Sequence, residues 1–281
     1  MGETIFDLNN VCYSYLGKYP ALRGIDLSIR QGQKVAVIGA NGSGKSTLLH
    51  LLDGLIFPDQ GRISFFGKEL KENDFSNAEF SRGFRRKVGL VFQNPDVQLF
   101  CPSVREDIVF GPLQLGFAQA VIQNRLEKVV TMLNISGLLD RQPHQLSVGE
   151  KRKVALASVL TIEPEVLILD EPTAGLDPLT TRQIIDLLIQ AGSEGKTVIT
   201  STHDLHIVEE ISDTVYCFNA DKRIAAFGET AKILGDTSLL MENNLVHIHS
   251  HRHKHGIHVH PHVHLEHHLD SHSGEVENSG G

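Results

Sequence analysis

Two short segments of the 281-residue chain carry side chains suited to phosphate chemistry. The first, Gly39-Ala40-Asn41-Gly42-Ser43-Gly44-Lys45-Ser46-Thr47, fits the pattern G-x-x-x-x-G-K-[ST]. Glycines let a backbone curl until successive N–H groups point at phosphate oxygens. A helix starting near Lys45 adds its positive N-terminal end. Lys45 is then placed for the β- and γ-phosphates, and the Ser46 hydroxyl for Mg²⁺. The second segment, Val166-Leu167-Ile168-Leu169-Asp170-Glu171-Pro172, reads as a buried strand ending in two carboxylates. Asp170 suits the Mg²⁺ shell and Glu171 suits polarising an attacking water. Alone, a glycine-rich turn can match by accident, and adjacent acids usually form a solvated turn. The strand before the loop, the helix after it and the downstream acids together point to binding and hydrolysis of Mg-ATP.

These groups need elements to hold them. Val35-Ala36-Val37-Ile38 is a buried strand feeding the loop, and Ser46–Leu52 reads as a helix stopped near Gly54 and Pro58. Residues 4–38 alternate in short β-like runs, 68–87 read as a charged surface connector, and Val88–Phe92 as a strand. From Asn94 to about Leu160 the pattern is helical, with a clear amphipathic stretch at 118–133. Strand-like runs return at 166–169, 197–201 and 214–218, separated by helical stretches at 179–191 and 204–212. Alternation of this kind predicts an α/β fold with a mostly parallel sheet covered on its faces.

Composition narrows the class. With 41% hydrophobic and 21% charged residues the chain is an ordinary globular one. A net charge of −8 leaves no nucleic-acid footprint. Cys12, Cys101 and Cys217 are scattered and odd in number, which fits a reducing compartment. MGETIFDLNN lacks the features of a secretory signal, and no apolar run approaches the roughly 18–20 residues that span a bilayer. Any membrane role is expected to come through a partner.

Further motifs fall in a specific order: Tyr15, the Gln93 of VFQNP, LSVGE at 146–150, Ala174-Gly175-Leu176-Asp177, and the His203 of TSTHD. With the loop and the acids, they resemble the nucleotide-binding subunit of ABC transporters over residues 1–228. The resemblance implies a P-loop NTPase core with a mixed, mostly parallel sheet, an N-terminal antiparallel β part and an inserted α-helical lobe at about 94–160. Residues 229–246 read as a C-terminal helical segment. The resemblance also implies roles. Tyr15 stacks on adenine, and Gln93 contacts Mg²⁺ or water. Ser147 and Gly149 meet the γ-phosphate of a second subunit, Asp177 belongs to the D-loop, and His203 contacts the γ-phosphate. A homodimer or a dimer with a related ATPase is implied, closed by ATP and opened by hydrolysis. LSVGE departs from the family's LSGGQ at Val148 and Glu150. Val148 is compatible if its backbone angles suit an L-residue, and Glu150 suits a helix start.

Residues 93–116 resemble the energy-coupling-factor importers, particularly the ATPases of cobalt and nickel uptake. In that class the segment helps receive a coupling helix of a transmembrane subunit, which works beside a metal-binding membrane subunit on the cytoplasmic face. Leu99, Phe100, Val104, Ile108, Val109 and Phe110 serve equally as groove or as core. Twelve of the sixteen histidines lie between His247 and His272. His247, His249, His251, His253 and His255 alternate, as do His258, His260, His262 and His264. Extended, each set lies along one face. Nitrogen ligands suit Ni²⁺, Co²⁺ or Zn²⁺ better than Mg²⁺. Residues 247–281 therefore read as a disordered tail that buffers or senses a transition metal. A purification tag and a solvated low-complexity tail are the other readings. His50, His144 and His206 read as structural or surface residues. For the whole chain, a vitamin importer's ATPase, a metal buffer with a regulatory ATPase and a soluble cassette acting on nucleic acid or ribosomes are the alternatives.

Overall fold

The computed structural model describes residues 2–253 and 256–263, giving backbone alone for 247–253 and 256–263. Three strands open the chain: β1 (Thr4–Tyr15), β2 (Tyr19–Arg30) and β3 (Lys34–Ile38). Helix α1 (Lys45–Leu52) follows the glycine-rich loop, then β4 (Gln60–Phe65) and β5 (Lys68–Glu69). These are followed by α2 (Ala78–Lys87), β6 (Val88–Val91), α3 (Val104–Gln114), α4 (Gln119–Leu133) and α5 (Val148–Leu160). The second half runs β7 (Val166–Asp170), α6 (Pro178–Ser193), β8 (Thr197–Thr202), α7 (Leu205–Ile211), β9 (Thr214–Phe218) and β10 (Ile224–Glu229). Two short helices, α8 (Thr230–Gly235) and α9 (Thr237–Glu242), precede β11 (Val246–His253) and β12 (Gly256–Val263).

The central sheet has the order β10-β9-β3-β8-β7-β6. Strands β9, β3, β8, β7 and β6 pair in parallel, and β10 adds an antiparallel edge. Strands β7 and β8 are buried at every residue, as a sheet covered on both faces requires. The second sheet, β2-β1-β4-β5, is wholly antiparallel. Its inward residues, among them Phe6, Leu8, Ile25 and Ile29, share one core with α1 and with Val37 and Ile168 of the central sheet.

Helices α3, α4 and α5 form the lobe expected at 94–160. Helix α4 buries Ile122, Leu126, Val129, Val130 and Leu133, the spacing of one helical face. Of the six apolar residues that could line a groove, the structure divides the set. Leu99, Val104 and Ile108 are in the core, with Val109 packed against it. Phe100 and Phe110 stay on the surface, 66% and 40% exposed, with their rings edge-to-face at 4.9 Å.

One expectation is corrected. Residues 68–87 are not a bare connector: β5, a 3₁₀ turn at Glu72–Ser76 and α2 occupy them. Asn77 caps α2 by accepting hydrogen bonds from the N–H groups of Glu79 and Phe80. The physical reason is aromatic packing. Phe75 meets Phe80 at 5.2 Å and Phe84 at 5.1 Å, and Phe84 meets Phe65 at 4.9 Å. Within the segment read as a tail, two strands are described, β11 and β12. β11 and β12 pair antiparallel from Val246↔Val263 to His253↔Gly256, because His alternates with apolar residues in both strands. His255 and His264 lie outside the described residues.

Asp53 closes α1 and is 4% exposed. Arg85 of α2 donates to its Oδ2 at 2.7 Å and to its carbonyl at 2.6 Å. Burial pushes the Asp53 carboxyl up from 3.8 to about 6, with Arg85 pulling the other way. The native state therefore holds this proton more tightly than the unfolded chain does. Its contribution to stability is fully present below about pH 3.8 and is lost as pH rises through about 6. Urea unfolding should show wild type losing stability relative to Asp53→Asn between pH 4 and 6.5. An unchanged difference would mean that the pair is ionised throughout.

Candidate active site

The site forms where β3, β8 and β7 end side by side. Ile38 is in register with Thr202, and Asp170 with Ser201. The glycine-rich loop, the carboxylates and His203 therefore emerge at one edge, as open parallel sheets place their ligands.

Within the loop, Gly44 has φ +109°, and a Cβ there would meet the Ala21 carbonyl oxygen at 2.5 Å. Gly42 has φ +75°, with open space where a Cβ would stand. Lys45 is buried; its Nζ donates to the Gly39 carbonyl at 2.8 Å and lies 3.6 Å from Glu171 Oε1. Tyr15, Tyr19, Asn41, Gly42, Gly44, Lys45, Ser46, Thr47, Gln93, Glu171 and Lys222 line one cleft of about 450 Å³, large enough for a nucleotide. Gly39 and Ser43 lie behind it, with the Ser43 hydroxyl buried and unpaired. Tyr15 stands at the rim, 41% exposed, its hydroxyl 3.2 Å from Thr47 Oγ1.

Asp170 is buried and accepts a short hydrogen bond from the Ser201 hydroxyl. Glu171 sits at φ +45°, a conformation that costs a non-glycine residue of order 1–2 kcal/mol. Several contacts hold it there. Its N–H donates to the Ser201 carbonyl at 3.1 Å and hydroxyl at 3.2 Å, and Arg152 Nη1 donates to its carbonyl at 3.1 Å. Glu171 Oε2 lies 2.9 Å from His203 Nδ1. One carboxylate is thus aimed by a histidine on one oxygen and a lysine on the other. His50 is half-buried, and burial lowers its pKa while Asp170 opposes this; no contact makes it a ligand.

The predicted residues do not all meet. Ser147 and Gly149 line no part of the cleft. Ser147 is the N-cap of α5, where it and Glu150 form a reciprocal capping box: Ser147 N–H to Glu150 Oε2 at 2.7 Å, Glu150 N–H to Ser147 Oγ at 3.3 Å. This bonding lowers the Glu150 pKa. Val148 is the first residue of the helix and has no positive φ, so no glycine is needed there. Asp177 caps α6 through the Thr180 N–H at 3.0 Å, which lowers its own pKa. Among the described side chains, no cluster of three or more His, Cys, Asp or Glu could hold a metal ion.

Sequence reasoning missed Tyr19, Arg152, Ser201 and Lys222. Lys222 reaches the Gly42 carbonyl from 180 residues away, and no local pattern marks it. Arg152 lies in a Lys-Arg-Lys run that reads as a solvated face but is 4% exposed. Ser201 is marked only by strand register.

Residues 22–174 match the family model described as ABC transporter. The chain belongs to the ABC transporter ATPase family. It is 50% identical over 244 residues to the nickel import ATP-binding protein NikO of Rhodobacter capsulatus, covering 86% of this chain and 95% of that one. It is 42% identical over 241 residues to the energy-coupling factor transporter ATP-binding protein EcfA of Methanothermobacter thermautotrophicus, covering 86% and 76%. Among solved structures it resembles cbiO1 of Clostridium perfringens, part of the transporter complex cbiONQ, at 36% identity and TM-score 0.72, covering 86% and 95%. A dimeric ATP-binding cassette bound to ADP and Pi matches at 26% identity and TM-score 0.72, covering 80% and 99%. As an ABC ATPase the chain binds and hydrolyses ATP and works as a dimer with membrane subunits.

The residues present fit Mg²⁺. Ser46 and Asp170 offer hard oxygen donors, and the buried Asp170 carboxylate accepts from the Ser201 hydroxyl. Ser46, Asp170 and Gln93 would hold the ion, which neutralises charge on phosphoryl oxygens when bound.

Replacing Glu171 by Gln keeps its shape and its capacity to accept from His203 but removes the basic oxygen. ATP turnover should fall by about 10²–10⁴-fold, while nucleotide binding persists. Steady-state phosphate release and equilibrium ATP binding measure the two. Turnover within threefold of wild type would remove Glu171 from the base role.

Proposed function

We propose that this chain powers import of a transition-metal ion, nickel or cobalt, through an energy-coupling-factor transporter. The observation that carries the reading is the 50% identity to a nickel import ATP-binding protein, spanning 95% of that protein. The histidine content of residues 247–281 fits a protein that works where such ions arrive. The second reading, an importer of an organic vitamin, draws on the similarity to EcfA.

In the mechanism we propose, Lys45 and the loop amides of 39–47 bind the β- and γ-phosphates. Glu171 accepts a proton from, or orients, the attacking water. His203 fixes the Glu171 carboxylate from its other side, and Gln93 reports the state of the site to the membrane partner. Tyr15 supports the adenine. Ser147 and Gly149, remote from their own cleft, cover the γ-phosphate in a second copy or a related ATPase, with Asp177 alongside. Nucleotide then holds two subunits together, and hydrolysis releases them.

Docking to a transmembrane subunit falls to the exposed apolar surface of the lobe. Val97, Phe100, Phe110 and Leu113 are 64%, 66%, 40% and 56% exposed, and they lie just beyond Gln93 in sequence. No helix among the described residues is long and apolar enough to cross a membrane. Such docking would hold the protein peripherally on the cytoplasmic face.

Uptake of radiolabelled Ni²⁺ and Co²⁺ is to be compared in source cells carrying wild type or Lys45→Ala. Loss of uptake of one metal in the variant is expected, and it names the cargo. Unchanged uptake of both, with no redundant importer present, overturns the metal reading and favours the vitamin.

A further inference from the structure

Strands β11 and β12 place six histidines in three facing pairs: His247↔His262, His249↔His260 and His251↔His258. Opposed residues of an antiparallel ladder share one face. The alternate rungs, Val246↔Val263, Ile248↔Pro261, Ser250↔Val259 and Arg252↔Ile257, belong to the other face and are mostly apolar. Val246 is 6% exposed and buried with Leu205, Ile233 and Leu240. The apolar face therefore begins on the core of the ATPase body, and the histidine positions fall on the opposite face. A low-complexity tail has no reason to match its histidines rung for rung, nor to reserve the other parity for valine and isoleucine.

We propose that this face is a binding site for late first-row divalent metals, Ni²⁺, Cu²⁺, Zn²⁺ or Co²⁺, and that its unit is the cross-strand histidine pair. Directly opposed residues have Cβ atoms about 4.5–5.5 Å apart, whereas same-face neighbours along a strand are about 7 Å apart. The opposed positions are therefore the most closely spaced histidine pairs on this face. Imidazole donors select these metals over Mg²⁺ and Ca²⁺. The site is separate from the Mg²⁺ of the nucleotide cleft and from the cargo reading, since a vitamin importer could carry it.

The register makes a prediction that histidine count cannot. Two full-length double variants each lose two histidines. His249→Asn with His260→Asn empties one rung and leaves two intact. His249→Asn with His258→Asn breaks two rungs and leaves one. Isothermal titration with Ni²⁺ at pH 7.5 should show the same-rung variant keeping about two-thirds of the wild-type capacity and the split-rung variant about one-third. ATP turnover serves as the folding control and should be unchanged in both. Equal capacity in the two variants would show a flexible chelating chain and overturn the ladder. No binding of Ni²⁺, Cu²⁺, Zn²⁺ or Co²⁺ by wild type would overturn the site itself. Neither result bears on ATP hydrolysis or on the cargo.

Discussion

Everything catalytic depends on the parallel register of β3, β8 and β7. Because Ile38 pairs with Thr202 and Ser201 with Asp170, three chain segments, one of them more than a hundred residues from the other two, deliver lysine, histidine and two carboxylates to one edge. A slip of one residue in β8 would turn Ser201 away and remove its bonds to Asp170 and Glu171. Glu171 is the residue most exposed to such an error. Its backbone is held at positive φ, and only the surrounding contacts keep it there. The strain is tolerated because Ser201 and Arg152 secure the main chain while Lys45 and His203 fix the carboxylate.

On the reading proposed above, that arrangement is half a site. The cleft supplies donors to the phosphates from the loop side, yet the serine and glycine of 146–150 lie at the start of α5, away from it. A closed environment for the γ-phosphate needs donors on its outer side. The proposed second subunit would have to supply them. Ser147 also caps its own helix, so the group offered to a partner is already fixed by Glu150. The departure from LSGGQ costs little for the same reason. Val148 takes the ordinary backbone of a first helical residue, and Glu150 completes a capping box near the positive helix end.

Much of this was legible in the sequence because the signals are local. The loop, the apolar run before Asp170 and the helical period of 118–133 each express a physical rule within a dozen residues. What escaped was long-range or hidden by composition. Lys222 and Ser201 enter the site through tertiary pairing alone. Arg152 is disguised by flanking lysines, and the phenylalanines of 75–84 by the charges between them. The tail is harder to read because histidine counts as polar. Its period of two was visible, but the matching of the two strands was not, since register is a property of the pair.

Helix α5 is where partner and chemistry are joined. Gln98, beyond Gln93, accepts from the Phe92 N–H at 3.2 Å and donates to the Ala155 carbonyl at 2.8 Å and to Ser158 Oγ at 3.0 Å. Lys151 of the same helix pairs with Asp96 at 2.7 Å. The segment that presents Val97 and Phe100 is therefore pinned to α5. The N-terminus of α5 carries Ser147, and its Arg152 grips the carbonyls of Glu171 and Ala174 at 3.1 and 3.4 Å. A displacement of that segment would be felt at once by the start of α5 and by the backbone of Glu171. Tight packing makes such a helix move as a unit rather than deform. One helix thus ties the exposed apolar segment, the capping serine and the backbone of Glu171 together.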